Sequence, residues 1–349
     1  MQQLPDQSPL REDTRHRLYE PSNLLTDRHG VRAGWSILVF VMLTVMTFTA
    51  LSLIGDVAVD VLHLTATPHG AHDMESPLVR PGGIVFEELT LFLAVMVPSW
   101  ILARIEHRPL AVYGLGRRRL ADVPRGAAAG LVAMSMLIVT MIACHALSID
   151  GVLLHGAAGL SFGLQWLVVF VFVALAEEYL TRGYLLFTLT RALLPLGQRL
   201  RPQQPRAVAF WLAAVSMSTV FALLHLGNRG ESPGGIATVF AAGMLFCYGL
   251  WRTGSLWWSV GFHALWDWAQ SFLFGVPDSG SLSAGRLLAT HPVGRVSLSG
   301  GTDGPEASLL VGPVLLLAAL LLRYTTSRGE QPSFEVVEPA NSHVDLSLR

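Results

Sequence analysis

Two adjacent carboxylates, Glu177 and Glu178, and a guanidinium four residues further on, Arg182, sit in "LAEEYLTRGYLL", a stretch otherwise suited to hydrocarbon. Downstream, "FALLH" supplies Phe221 and His225, and "HALWD" supplies His263 and Asp267. A charge at mid-bilayer costs about 2.5–3.5 kcal/mol even on the lenient insertion scale, so such groups should face one another, a wet cavity or protein. Glu178 and Arg182, four apart, share a helix face and can pair. Glu177 is rotated by about 100° and lacks that local partner. A desolvated carboxylate near fixed charge is a candidate general base. Together with two imidazoles and Asp267 it could set a water against a peptide carbonyl and stabilise the resulting oxyanion. The same four groups, Glu177, His225, His263 and Asp267, could instead bind a divalent metal such as zinc. A plain ion-pair network bracing two helices is the bland alternative. HExxH is absent, which excludes the zincin arrangement.

The elements that must position these groups read as membrane helices. The chain is 52% hydrophobic and 14% charged, against about 25% charged in ordinary globular domains. Eight apolar blocks, near 34–55, 84–103, 126–147, 163–193, 207–226, 234–251, 256–275 and 308–323, are of the length that crosses about 30 Å of hydrocarbon as helix. Nothing alternates with the period of a barrel, and lipid cannot satisfy an open sheet edge. The expected fold class is all-α, a polytopic membrane bundle of about eight transmembrane helices. Three N-terminal spans (31–160) precede a catalytic membrane domain (161–276), a flexible Gly/Ser-rich loop (277–307) and a last helix (308–325). Polar ends, 1–30 and 326–349, are expected to be disordered.

All 24 basic residues are Arg and every second loop is basic, which predicts both termini in the cytoplasm. A net charge of −1 argues against a nucleic-acid partner. The polar first thirty residues predict no cleavable signal. Cys144 and Cys247 lie in separate blocks and predict no disulfide. Trp251, Trp257 and Trp258, flanking "RTGS", are expected to form an interfacial belt, and "GAAAG" (Gly126–Gly130) to permit close packing without functional weight. Other ionisable groups compete for attention. Glu87 and Glu88 in "FEELTLF" could be polar glue or line the same cavity, His145 reads as structural, and His63, His69, His72 and His155 as loop or boundary residues.

The ordered set EExxxR, FxxxH and HxxxD, spread over about a hundred residues (165–275), resembles the CAAX protease and bacteriocin-processing (CPBP) family of intramembrane endopeptidases, which includes the type II CAAX prenyl proteases. The resemblance implies that Glu177 activates water with help from His225, that His263 and Asp267 stabilise the oxyanion, and that Glu178, Arg182 and Phe221 support them, in a metallo- or glutamate endopeptidase; the all-arginine, alanine-rich composition points to a bacterial cytoplasmic membrane. The family's last position is commonly Asn. Here it is Asp267, which as a carboxylate has no donor, so it must be protonated, orient His263 or help hold a metal. Helix rise sets a further test: Glu177 and His225 match in depth, roughly 24 and 27 Å from the cytoplasmic ends of their blocks, but His263, seven residues into its own, should lie shallower. The expected partners are a peptide or protein substrate and the bilayer. The competing functions are a non-catalytic immunity or scaffolding protein and a proton-coupled transporter, the latter disfavoured by the lack of internal repeats.

Overall fold

The computed structural model describes residues 26–27, 30–62, 78–228 and 232–329. The expected disordered ends fall almost wholly outside these, as do His63, His69 and His72. The helices are α1 Ala33–Leu62, α2 Pro81–Ile105, α3 Asp122–Ala143, α4 Gly156–Glu178, α5 Leu185–Leu200, α6 Pro205–Leu224, α7 Pro233–Thr253, α8 Trp257–Asp267 and α9 Val311–Thr325, with a single further turn at Val296–Ser299. The helix ends carry legible signals. Proline opens α2, α6 and α7, where its missing N–H costs nothing. The Ser232 hydroxyl accepts from the Gly235 amide to cap α7, which stops at Gly254 in the left-handed conformation (φ 70°).

The molecule is an all-α polytopic membrane bundle. Six stretches are long and apolar enough to cross a bilayer: Ala33–Val57, Pro81–Ile105, Asp122–Ala143, Gly156–Leu200, Pro205–Gly227 and Pro233–Thr253. The last two expected spans are helical but shorter: α9 has 15 residues and α8 has 11, extended by the wide turn Trp268–Leu273. At 1.5 Å per residue α9 reaches only about 22 Å, short of the full hydrocarbon thickness.

The loops are not featureless. Strands β1 (Thr26–Asp27) and β2 (Gly30–Val31) pair antiparallel, β3 (Leu78–Val79) pairs parallel with β5 (Leu282–Ser283), and β4 (Leu147–Val152) pairs antiparallel with β6 (Leu288–Pro292). Two of these pairs knit the segment 277–307, expected as one flexible loop, onto earlier parts of the chain. Further bonds hold it down: Trp166 Nε1 donates to the Ala284 carbonyl (2.9 Å) and the Leu287 amide to the Phe272 carbonyl (2.7 Å).

Two cores organise the helices. Phe40, Tyr179, Tyr184, Phe187 and Phe210 gather α1, α5 and α6 around the α4–α5 junction. Met134, Leu137, Trp258, Phe262 and Leu315 gather α3, α8 and α9. The seam between α3 and α8 is built from glycine. A Cβ on Gly126 or Gly130 would collide with the carbonyl oxygens of Trp258 or Phe262, and one on Gly261 with that of Val123. The "GAAAG" stretch therefore does have a positional task, because it fixes the helix that carries His263 and Asp267. Trp258 is fully buried in this seam, so it is not an interfacial anchor.

Candidate active site

Three helices bring the expected groups together. Between α4 and α5 the chain makes a wide π-type turn, Tyr179–Tyr184, in which Gly183 leaves helical geometry (φ −82°, ψ −107°). Such bulges locally break the i→i+4 ladder and recur at functional sites. Glu177 and Glu178 end α4, and Arg182 lies within the turn. Arg182 Nη1 donates to Glu178 Oε1 at 2.7 Å, both side chains being almost completely buried. The guanidinium also lies over the Phe221 ring, 4.2 Å from its centroid, so Phe221 of α6 acts as a platform for the pair.

His263 of α8 is the hub. Its Nδ1 is 3.2 Å from Glu178 Oε1, its Nε2 is 3.3 Å from Asp267 Oδ2 and 3.7 Å from Glu177 Oε2, and its ring stacks on Phe246 of α7. His225, just beyond the end of α6, points its Nδ1 at the Phe221 carbonyl (2.9 Å). A carbonyl only accepts, so Nδ1 carries a proton, and in the neutral ring the lone pair lies on Nε2. Glu177 and His225 share a cavity of about 180 Å³, whose other walls include Leu91, Thr181 and Phe221. Glu177 is the open member of the cluster: its side chain is 26% exposed, against 0% for Glu178.

His263 is therefore not shallower than its partners. The turn before α8 does not sit at a bundle end. Ser255 and Leu256 are buried, with the Leu256 amide and the Ser255 hydroxyl donating to the Gly114 carbonyl (2.9 and 3.0 Å) and Trp257 Nε1 to that of Gly116 (3.0 Å). The segment 110–116 covers the turn, and α8 starts inside the protein. Counting residues from the "RTGS" turn misjudged depth because it took that turn for an interface.

The possible metal set of Glu177, His225, His263 and Asp267 is not assembled. Among the described residues no group of three His, Cys, Asp or Glu side chains is arranged to hold a metal ion.

Two further carboxylates reach the site. Glu88 of α2 lies within electrostatic reach of Glu177 and His263, and its Oε2 is buried without a hydrogen-bond partner. A charge in an apolar block signals it, although of "FEELTLF" only Leu91 lines the cavity shared by Glu177 and His225. Asp278 was missed. The Val276 amide donates to the Gln270 carbonyl (3.1 Å), Gln270 Nε2 to the Pro277 carbonyl (2.9 Å) and Ser271 Oγ to Asp278 Oδ2 (2.9 Å). These bonds strap residues 276–278 to the end of α8, where Asp278 interacts with Glu177, His263, His225 and Asp267. Burial, ahead of those neighbours, pushes its carboxyl above the usual carboxylate range. Nothing in a Gly/Ser-rich loop announces such a residue. His145 is exposed at the end of α3 with positive φ (52°), and both cysteines are free.

Fold and site define a polytopic membrane protein with a buried Glu/His/Asp cluster opening on a cavity. Residues 159–269 match the family model described as Rce1-like, type II CAAX prenyl endopeptidase Rce1-like, which supports a likeness of this segment to the CAAX protease family, a family of peptidases. All seven motif residues lie inside the matched segment, whereas Glu88 and Asp278 lie outside it. Among curated proteins and among solved structures nothing matches.

Proposed function

We propose that the protein is an intramembrane endopeptidase that hydrolyses a peptide bond of a membrane-associated peptide or protein, with water activated by Glu177 and His225. The observation that carries this reading is the shared cavity: an open carboxylate and an imidazole with a free Nε2 face one space large enough for water and a backbone segment. Glu177 takes a proton from water as the water oxygen bonds to the carbonyl carbon. The oxyanion that forms is met by His263 and Asp267, the proton then passes from Glu177 to the departing nitrogen, and the C–N bond breaks. Asp267 can donate only when protonated; otherwise it orients His263, 3.3 Å away. Glu178, held by Arg182, fixes the other side of the His263 ring. No step is routed through a metal, since among the described residues no group of three ligand side chains is arranged to hold one. The Arg pattern favours cytoplasmic termini, and residues 161–276 are read as the catalytic unit.

The test is cleavage of a membrane-associated peptide library by the purified protein. Activity should fall by about a hundredfold or more in His225→Ala and in His263→Ala while expression and thermal unfolding are kept. Wild-type cleavage by both variants contradicts the assignment and favours a binding role for the cluster.

A further inference from the structure

The two ends of the bundle differ in charge. At one end the segments 114–119, 252–256 and 326–327 meet: Arg119 Nη1 donates to Ser327 Oγ (3.1 Å), Arg252 Nη2 to the Thr326 carbonyl (2.8 Å) and the Leu256 amide to the Gly114 carbonyl (2.9 Å). Arg104, Arg117, Arg118 and Arg125 flank these segments. On this side α5 leaves the wide turn, with Tyr184 packed on Tyr113 and Arg191 on Glu106, and carries Arg199 and Arg201 further along. At the other end the β3–β5 and β4–β6 pairs gather residues 78–79, 147–152, 282–283 and 288–292, and the Ser232 amide and hydroxyl donate to Asp303 Oδ2 (3.0 and 2.6 Å). The loop 144–155 there has no arginine, and the longer loops beside it hold Arg80, Arg229, Arg286 and Arg295. An excess of arginine next to the spans marks the cytoplasmic side of a membrane protein.

The cavity shared by Glu177 and His225 belongs to the arginine-poor end. α6 starts at Pro205, just after Arg201, and its 20 residues rise about 30 Å, the hydrocarbon thickness, before the chain reaches His225 and Asn228. Asn228 lines the cavity and is exposed, so it marks the mouth. One helical turn back toward Pro205 the space is closed by buried Phe221, with the buried Arg182 guanidinium over its ring. Leu224 and Leu226 beside the mouth are exposed and apolar, so a chain held in the bilayer can reach it from the side. We propose that the cavity opens to the outer face of the membrane and takes as substrate a peptide segment at that face, next to its own membrane anchor. The choice of substrate rests on the endopeptidase reading; the orientation rests on charge and helix direction alone. A lipid-modified tail on the cytoplasmic side would meet the closed, arginine-rich end.

Two arms of one experiment separate orientation from substrate. In intact cells expressing the full chain with Cys144→Ser, a membrane-impermeant maleimide should label Asn228→Cys, whereas Arg118→Cys should be labelled only after the membrane is permeabilised. Cys247 is buried, and the Cys144→Ser protein alone measures its background. The reverse pattern, labelling of both from one side, or no labelling of Asn228→Cys from either side overturns the proposal. In sealed vesicles, acylated peptides of randomised sequence, which enter the leaflet they are added to, should be cut by right-side-out membranes and not by inverted ones, counted above the His263→Ala protein. Cutting confined to inverted vesicles, or equal in both, overturns the substrate assignment. Cutting in neither removes the endopeptidase reading and the substrate with it, while the labelling still decides the orientation.

Discussion

Two buried carboxylate clusters sit in this bundle, and they are finished differently. Glu106, at the end of α2, receives Ser36 Oγ (2.8 Å), Tyr184 Oη (3.3 Å), Arg108 Nε (3.2 Å) and Arg191 Nη1 (3.3 Å), and its side chain is 1% exposed. That cluster is closed. Around His263, by contrast, Glu178 is paired while Glu177 faces a cavity with the imidazole edge at 3.7 Å, and Glu88 keeps an oxygen unmet. A carboxylate saturated with donors fastens helices. One left open beside a void is available to a substrate or a water.

The comparison is sharpened most by Glu106→Ala. It takes away the carboxylate that two buried guanidinium groups share, and removing one partner of a buried pair costs about 3–5 kcal/mol. The unfolding midpoint in nanodiscs should drop steeply, while activity per folded molecule should hold. Arg182→Met should act on both counts, lowering stability by a similar amount and activity by about a hundredfold, because Glu178 is left buried and no longer fixes His263. If Arg182→Met loses stability alone, the two clusters are of one kind after all.

A smaller effect tests the packing between them. Gly130→Ala forces α3 and α8 apart, at about 1–3 kcal/mol for an overpacked contact, and should reduce turnover more than stability because His263 and Asp267 ride on α8. An equally placed change on the lipid-facing side of α3, Val139→Ala, serves as the control and should leave turnover unchanged. Least of all should come from Asp267→Asn. An amide donates where a carboxylate cannot, so activity should stay within about tenfold of wild type, whereas Asp267→Ala should lose about a hundredfold. Loss in the Asn variant as deep as in the Ala variant shows that the Asp267 charge itself is needed.

The groups that could do chemistry were legible because charge is conspicuous in apolar sequence: Glu177, Glu178, Arg182, His225 and His263 are brought together by the fold. The closed cluster was not legible. Arg108 counts in the sequence as one of six arginines between two spans, an orientation signal, yet it is buried against Glu106. Loop position and burial are independent where a loop tucks under the bundle, and the same tucking hid the depth of α8. Asp278 escaped for a related reason. Its place depends on three hydrogen bonds from the end of α8, and long-range loop anchoring leaves no periodic trace.

The central claim is that Glu177 is left open in order to move a proton, and Glu177→Gln tests it most directly, with cleavage of a membrane peptide and thermal unfolding measured on the same nanodisc preparation. The account predicts cleavage reduced by at least about a hundredfold with an unchanged midpoint. Cleavage at the wild-type rate by a folded Glu177→Gln protein contradicts it.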